Sequence, residues 1–141
     1  MENQFNFFSV GQGLFATATW CNFNIVYDCD STRMSIIEDQ VKNYVMNVLT
    51  NKKIDILFIS HFHEDHINGL FYLLEMATEV GCIFMPYIPL INRIYIILQL
   101  LARNRKTSNN LGRLVEFVFD PVSYLSNNFS GKIKKETYFL Y

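Results

Sequence analysis

The sequence predicts an α/β domain, and three observations carry that prediction. Short apolar runs lie close together between Phe5 and Tyr27, as in a meander of strands. Between Asp28 and Met85 the apolar pattern switches between helical spacing and continuous strand-like runs. Half of the 141 residues are hydrophobic and 18% are charged, which is enough apolar material for one core and too little charge for a disordered chain. Residues 1–141 therefore read as a single domain.

The elements follow in order. Phe5, Phe7, Phe8 and Val10 mark a first strand over residues 5–10, and Gly11-Gln12-Gly13 a turn that needs unusual backbone angles. Leu14 to Trp20 reads as a second strand and Asn24 to Tyr27 as a third, ending at Asp28. Ile37, Val41, Tyr44, Val45, Val48 and Leu49 recur at helical spacing, Ser35 and Glu38 have the spacing of a capping box, and the basic end Asn51-Lys52-Lys53 suits a helix C-terminus. Ile54 to Ile59 is a buried strand. Leu70, Phe71, Leu73, Leu74 and Ala77 mark a helix running to about Val80, with Gly81 as its C-cap and a strand from Cys82 to Met85.

Leu90 to Arg103 reads as an amphipathic helix with Ile94, Ile97, Leu98 and Leu101 on one face, packed on its own domain or presented to a partner. Residues 104–112 are polar and read as a loop or insertion; Arg103, Arg105 and Lys106 form a small basic cluster there, a solvated face or a weak phosphate patch. Asp120-Pro121 has the form of an N-cap followed by proline at the first helical position, which makes Asp120 a cap and not a metal ligand. The tail ends on Tyr138-Phe139-Leu140-Tyr141, a strand cut short.

Bulk properties exclude several classes. A net charge of −1 lacks the basic excess of an electrostatic nucleic-acid binder, so nucleic acid enters only as a substrate. Cys21, Cys29 and Cys82 are odd in number and lack CxxC spacing, which argues against a disulfide framework and for a reducing compartment. Pro86, Pro89, Asn92, Arg93 and Gln99 break the apolar stretch Ile83–Leu101 too often for a membrane span. The residues after Met1 do not resemble a secretory signal, and a cytoplasmic location is expected.

The chemistry gathers in Ser60-His61-Phe62-His63-Glu64-Asp65-His66, which holds all three histidines of the chain within six residues. Imidazole and carboxylate are the usual ligands of zinc and similar ions. In extended backbone His61 and His63 point to one side, and a tight turn can aim Asp65 and His66 at a second position. One strand-to-helix loop can thus supply two ligands to each of two metals.

This motif resembles the HxHxDH signature of the metallo-β-lactamase-fold hydrolases. Val10-Gly11-Gln12-Gly13 and Ile25-Val26-Tyr27-Asp28-Cys29 are similar to the opening strands of that superfamily, most of all to its competence-protein-like branch. The resemblance covers about residues 5–85. It implies the N-terminal half of an αββα sandwich: a mixed β-sheet with helices on one face. It further implies that His61, His63, Asp65 and His66 hold up to two ions, Zn2+ by default with Mn or Fe also suited, and that Asp65 orients the attacking water. Asp28 would stand beside the site as an acceptor for a ligand histidine, or else is a turn residue ending its strand. Metal-activated water would hydrolyse a substrate, and the competence-like opening favours a phosphodiester or nucleic-acid type.

The chain departs from that pattern in its ligand count. No histidine follows His66, and Asp120 is the sole aspartate after Asp65. A third ligand for each ion would have to come from Asp28, Asp30, Glu64 or a second chain. Ser9, Leu14 and Asp30 replace residues typical of the competence-like branch. Three readings stay open: a hydrolase or the N-terminal part of one, a non-catalytic binding module that keeps the loop, and half of a split enzyme completed by a homodimer or another chain.

Overall fold

The protein's structure, a computed structural model, describes residues 3–62, 67–103, 109–135 and 137–140. The meander forms first. Strands β1 (Gln4–Phe7), β2 (Ala16–Trp20) and β3 (Phe23–Tyr27) pair antiparallel. A two-residue turn joins β2 to β3, with Cys21 at φ 51° and Asn22 at φ 65°, the left-handed pair that matches the twist of a hairpin. The loop from β1 to β2 is longer than the sequence suggests, because Val10 and Phe15 leave the sheet to enter the core. Gly13, at φ 143°, has no room for a side chain: a Cβ there would strike the backbone of Asp30 and Ser31.

From β3 onward the sheet turns parallel. Strands β4 (Lys53–Phe58), β5 (Glu79–Pro86) and β6 (Thr137–Leu140) add in sequence order, giving β1-β2-β3-β4-β5-β6. The crossovers are helical: α1 (Met34–Asn43) between β3 and β4, α2 (Leu70–Met76) between β4 and β5, and then α3 (Leu90–Arg103), α4 (Asn109–Phe119) and α5 (Pro121–Phe129) before β6. The expected α/β class and mixed sheet are therefore present.

All of the core lies on one side of this sheet. Val26, Leu57, Ile83 and Met85 point into it and meet Ile37 and Val41 of α1, Leu70 and Leu74 of α2, Phe117 of α4 and Leu125 of α5. Arg113 latches α4 to α2, its guanidinium 4.7 Å above the Phe71 ring and 2.8 Å from Glu75 Oε1. On the other side, register places Phe7, Ala16, Tyr27, Phe58, Phe84 and Tyr138 in one row across all six strands. The rings from Tyr27 through Phe58 and Phe84 to Tyr138 follow one another at centroid distances of 6.2, 5.1 and 5.2 Å.

Several boundaries differ from the sequence reading, each for a local reason. Helix α1 starts at Met34, one residue before Ser35, with Arg33 at its N-cap and no side-chain cap bond. The Ser31 hydroxyl accepts from the Arg33 amide at 3.0 Å in place of the expected capping box. Helix α2 stops at Met76, well before Gly81, because Thr78 is drawn to the end of α1's connection: its amide donates to Lys52 O at 2.9 Å and its hydroxyl to Asn51 O at 3.0 Å. Gly81 is a strand residue, required because a Cβ would collide with the Asp55 carbonyl of β4. Of the expected loop 104–112, residues 109–112 belong to α4, whose first turn is stabilised by the buried Leu114, Phe117 and Val118 that follow; 104–108 lie outside the described residues. Helix α3 buries Leu100 and half-buries Ile96 and Ile97, leaving Ile94, Leu98 and Leu101 exposed, so the packed face is rotated from the expected one.

Among the described residues no helix is long and apolar enough to cross a membrane.

Candidate functional site

Parallel strands end together at one edge of the sheet, and in open α/β sheets that edge is where ligands are bound. Here the C-terminal ends of β3 and β4 carry Asp28 and the segment Ser60-His61. Asp28 continues the parallel ladder for one more bond, its amide donating to Phe58 O at 2.9 Å. It then turns the chain with a φ of 52°, an angle that aspartate tolerates better than most residues. Asp28 as a whole is 2% exposed.

A buried carboxylate needs donors, and Ser60 supplies two. Its amide donates to Asp28 Oδ1 at 2.7 Å and its hydroxyl to Asp28 Oδ2 at 2.6 Å. The same hydroxyl lies 2.7 Å from His61 Nδ1. Since Ser60 has one hydroxyl proton and gives it to the carboxylate, Nδ1 must be the donor in the second contact. That contact fixes the orientation of the His61 ring. Ile59 and Phe62, both buried, hold this dipeptide between them, and Phe62 packs edge-on against Phe117 of α4 at 5.3 Å.

The neighbouring loop is built just as firmly. Asp30 is fully buried; its Oδ1 accepts from the Leu14 amide at 2.5 Å, and its own amide donates to Leu14 O at 3.1 Å. That engages one oxygen of a residue considered above as a supplementary ligand. The Ser31 hydroxyl donates to Val10 O at 2.6 Å. Asn68, just before α2, brackets Ser31: its Oδ1 accepts from the Ser31 amide at 3.2 Å and its Nδ2 donates to Ser31 O. Gly69 lies so close to the Cys29 carbonyl and to Ile37 that no side chain fits there. The start of the histidine-bearing segment, at Ser60, and the residue past its exit, Asn68, are thus both tied to the Asp28–Ser31 loop.

The electrostatics are one-sided. Cys29 lies buried between Asp28 and Asp30, and its thiol is pushed well above the usual range, first by burial and then by the charges of Asp30 and Asp28. Burial and the neighbouring carboxylates thus favour the thiol form of Cys29. Two buried carboxylates in one short loop favour a cation close by.

Of the expected site residues, the structure brings Asp28 and His61 together through Ser60. His63, Asp65 and His66, with Glu64, lie outside the described residues. Among the described residues no three histidine, cysteine or carboxylate side chains converge as a metal set. Asp120 is the cap it was expected to be: its Oδ1 accepts from the Ser123 amide at 3.1 Å at the start of α5. Ser60 and Asn68 are the residues that sequence reasoning passed over. Ser60 had one usable signal, its position at the end of a buried strand immediately before the first histidine. A cavity of about 590 Å³ between α5 and Ser130, Ile133, Lys135 and Phe139 is lined by none of the described motif residues.

No protein-family model matches the chain, and no curated protein matches it.

Proposed function

We propose that this chain carries a metal site of the metallo-β-lactamase type, with hydrolysis by metal-activated water as its reaction and a phosphodiester as the favoured substrate class. The observation that carries the reading is the Asp28–Ser60–His61 relay. Histidine ligands commonly donate their second ring nitrogen to an acceptor that fixes tautomer and orientation, and His61 is arranged in that way, with a buried carboxylate behind the serine. The donor chemistry fits a cation: an imidazole oriented through its Nδ1, close to the buried carboxylates of Asp28 and Asp30.

His61 and His63 would hold one ion, and Asp65 with His66 a second. When bound, such ions supply hydroxide at neutral pH and polarise the scissile phosphoryl or carbonyl group. The protein's own contributions are separable from that chemistry. Asp28 and Ser60 orient the His61 ring, Asn68 holds the loop exit on Ser31, and Asp65 would orient the attacking water.

A second reading is favoured by one observation: no histidine follows His66. Four motif ligands give two per ion, one short of the usual catalytic set, which suits a metal-binding module or one part of a split enzyme. Elemental analysis of the purified chain, paired with hydrolysis of an activated phosphodiester, separates these readings. Bound zinc with turnover supports the hydrolase, and bound zinc without turnover supports the module. Zinc content unchanged in the double substitution His61→Ala, His63→Ala would remove the site altogether.

A further inference from the structure

Helix α3 shows water a face that helices ordinarily bury. Its packed side, formed by Ile96, Ile97 and Leu100, already meets the core. On the other side Leu90, Ile91, Ile94, Tyr95, Leu98 and Leu101 are between 37% and 71% exposed. At 3.6 residues per turn these six cover an arc of roughly 140°, and no charged or amide side chain falls within it. A surface helix keeps its solvent side polar, and one that is apolar on both sides has a second surface to meet. We propose that this arc binds an anionic lipid surface, with α3 lying in the plane of the bilayer interface.

Charge identifies the partner. Residues 80–115 hold five of the chain's 12 lysines and arginines and none of its 13 aspartates and glutamates. Two of the five are held within the fold, Arg93 by Phe119 O at 2.6 Å and Arg113 by Glu75 Oε1 at 2.8 Å. Arg103 is exposed in the last turn of α3, and the sequence continues with Arg105 and Lys106. An apolar helix face with cations at its end binds acidic headgroups while its side chains enter the acyl boundary. A second copy placed against the same arc would bring two cationic segments together, which a two-fold contact disfavours.

The chemistry of the arc points the same way. Five of its six side chains are aliphatic; the sixth, Tyr95, lies at its border, and the exposed Tyr87 stands just before the helix. Tyrosine suits the headgroup level, where one end of the ring is apolar and the other wet. A protein partner is recognised through hydrogen bonds at about one per 100–200 Å² and through aromatic or arginine anchors. An arc of leucine and isoleucine offers little of either, whereas acyl chains require only apolar area. Nucleic acid would need cations across the face, where this one has aliphatic side chains. The 14 residues of α3 are too few to cross a bilayer, but lying in its surface depends on the apolar arc and not on length.

The test uses the intact chain and vesicles of phosphatidylcholine, with and without phosphatidylglycerol. Flotation is expected to show binding at least about 10-fold tighter to the anionic vesicles, and high salt should remove most of that difference. Leu98→Glu should weaken binding to the anionic vesicles by about 10-fold or more, and Arg103→Gln by about 5-fold, with far-UV circular dichroism unchanged in both. Trp20, the single tryptophan, shares the helix-free side of the sheet with Ala16 of the same strand, so its emission should not change when vesicles bind. Absence of binding to anionic vesicles overturns the proposal, as does equal binding to neutral ones. Binding that survives both substitutions overturns it too. A shift in Trp20 emission would place the contact on the sheet instead, and a lipid-free dimer dissolved by Leu98→Glu would give the arc to a second copy. Should Leu98→Glu fail to fold, Arg103→Gln and the Trp20 control still decide. Zinc does not enter these measurements, so the lipid contact and the proposed metal site stand or fall separately.

Discussion

Two aspartates tie the same two strands together at opposite ends, and they are used differently. At the N-terminal end of β4, Asp55 accepts from the Asn24 amide of β3 at 2.8 Å and pairs with Lys53 at 3.3 Å. At the C-terminal end of β3, Asp28 accepts from Ser60 beyond β4. The two clamps mirror each other: β4 reaches to β3 at one end, and β3 to β4 at the other. Asp55 has a lysine beside it, itself shared with Glu79 at 3.4 Å, so its charge is balanced at the rim. Asp28 passes its hydrogen bonding through a hydroxyl to an imidazole. One carboxylate is therefore a fastening, and the other is a fastening that also sets the state of a histidine. A strand-end aspartate gains a chemical role from what its donor touches next.

The sharpest way to break that contrast is to remove each carboxylate in turn. Asp28→Ala leaves the buried amide and hydroxyl of Ser60 without their acceptor, and a loss of about 3 kcal/mol in unfolding free energy is expected by denaturant titration. In the same variant zinc affinity should fall about 10-fold or more. Asp55→Ala should cost about 1–2 kcal/mol, since the Asn24 amide loses its acceptor, and leave zinc affinity unchanged. Equal loss of zinc affinity in both variants would erase the distinction between the two ends.

Ser60→Ala sharpens the comparison, because it cuts the relay while keeping the carboxylate. A stability change of about 1 kcal/mol with a zinc affinity lower by about 10-fold is expected from calorimetry. Zinc affinity equal to that of the unmodified chain would mean that Asp28 acts on the fold alone.

A third aspartate, Asp120, serves as a control without either role. Asp120→Ala should cost about 1 kcal/mol through loss of the α5 cap. Its carboxyl is held below the usual range by the Ser123 side-chain hydrogen bond first. The cap's contribution is therefore present above the ordinary carboxylate pKa and disappears as pH falls through the lowered one, so the variant and the parent should converge in acid.

The smallest expected effect is at Lys53, whose ammonium is held above the usual lysine range chiefly by hydrogen bonding to Asp55. That contribution is complete below the ordinary lysine pKa and is lost as pH rises through the raised one. Lys53→Met should therefore differ from the parent at neutral pH and match it at the alkaline end of an unfolding series.

Much of this was legible in the residues. The strand ending at Tyr27, the helix over Leu90–Arg103 and the cap at Asp120 follow from local pattern, because each is fixed by neighbours in sequence, whereas the nearness of Asp28 to the histidine segment is an expectation of the family resemblance alone. What escaped was decided by distant partners. Gly81 has the look of a helix stop but serves the approach of Asp55, twenty-six residues earlier in the chain. The polar start of α4 conceals a helix that exists because Leu114, Phe117 and Val118 find a core to enter. Ser60 has no pattern of its own; its role is set by a carboxylate thirty-two residues away. Tertiary contacts override propensity in each case.

The order of the sheet has a consequence for how the chain is made. Every strand pairs with its predecessor, from β1 through β6, so a chain emerging from the ribosome can add each strand to an edge already formed. The β1–β3 meander pairs locally, whereas each parallel pairing waits for its helical crossover, the longest lying between Pro86 and Thr137, and such non-local pairing is the slower step. The Asp28–Ser60 clamp can close as soon as β4 has emerged, while β5, β6 and the last three helices are still being synthesised. The histidine segment would then be fastened at its root early, and the later half of the chain would assemble against a finished corner.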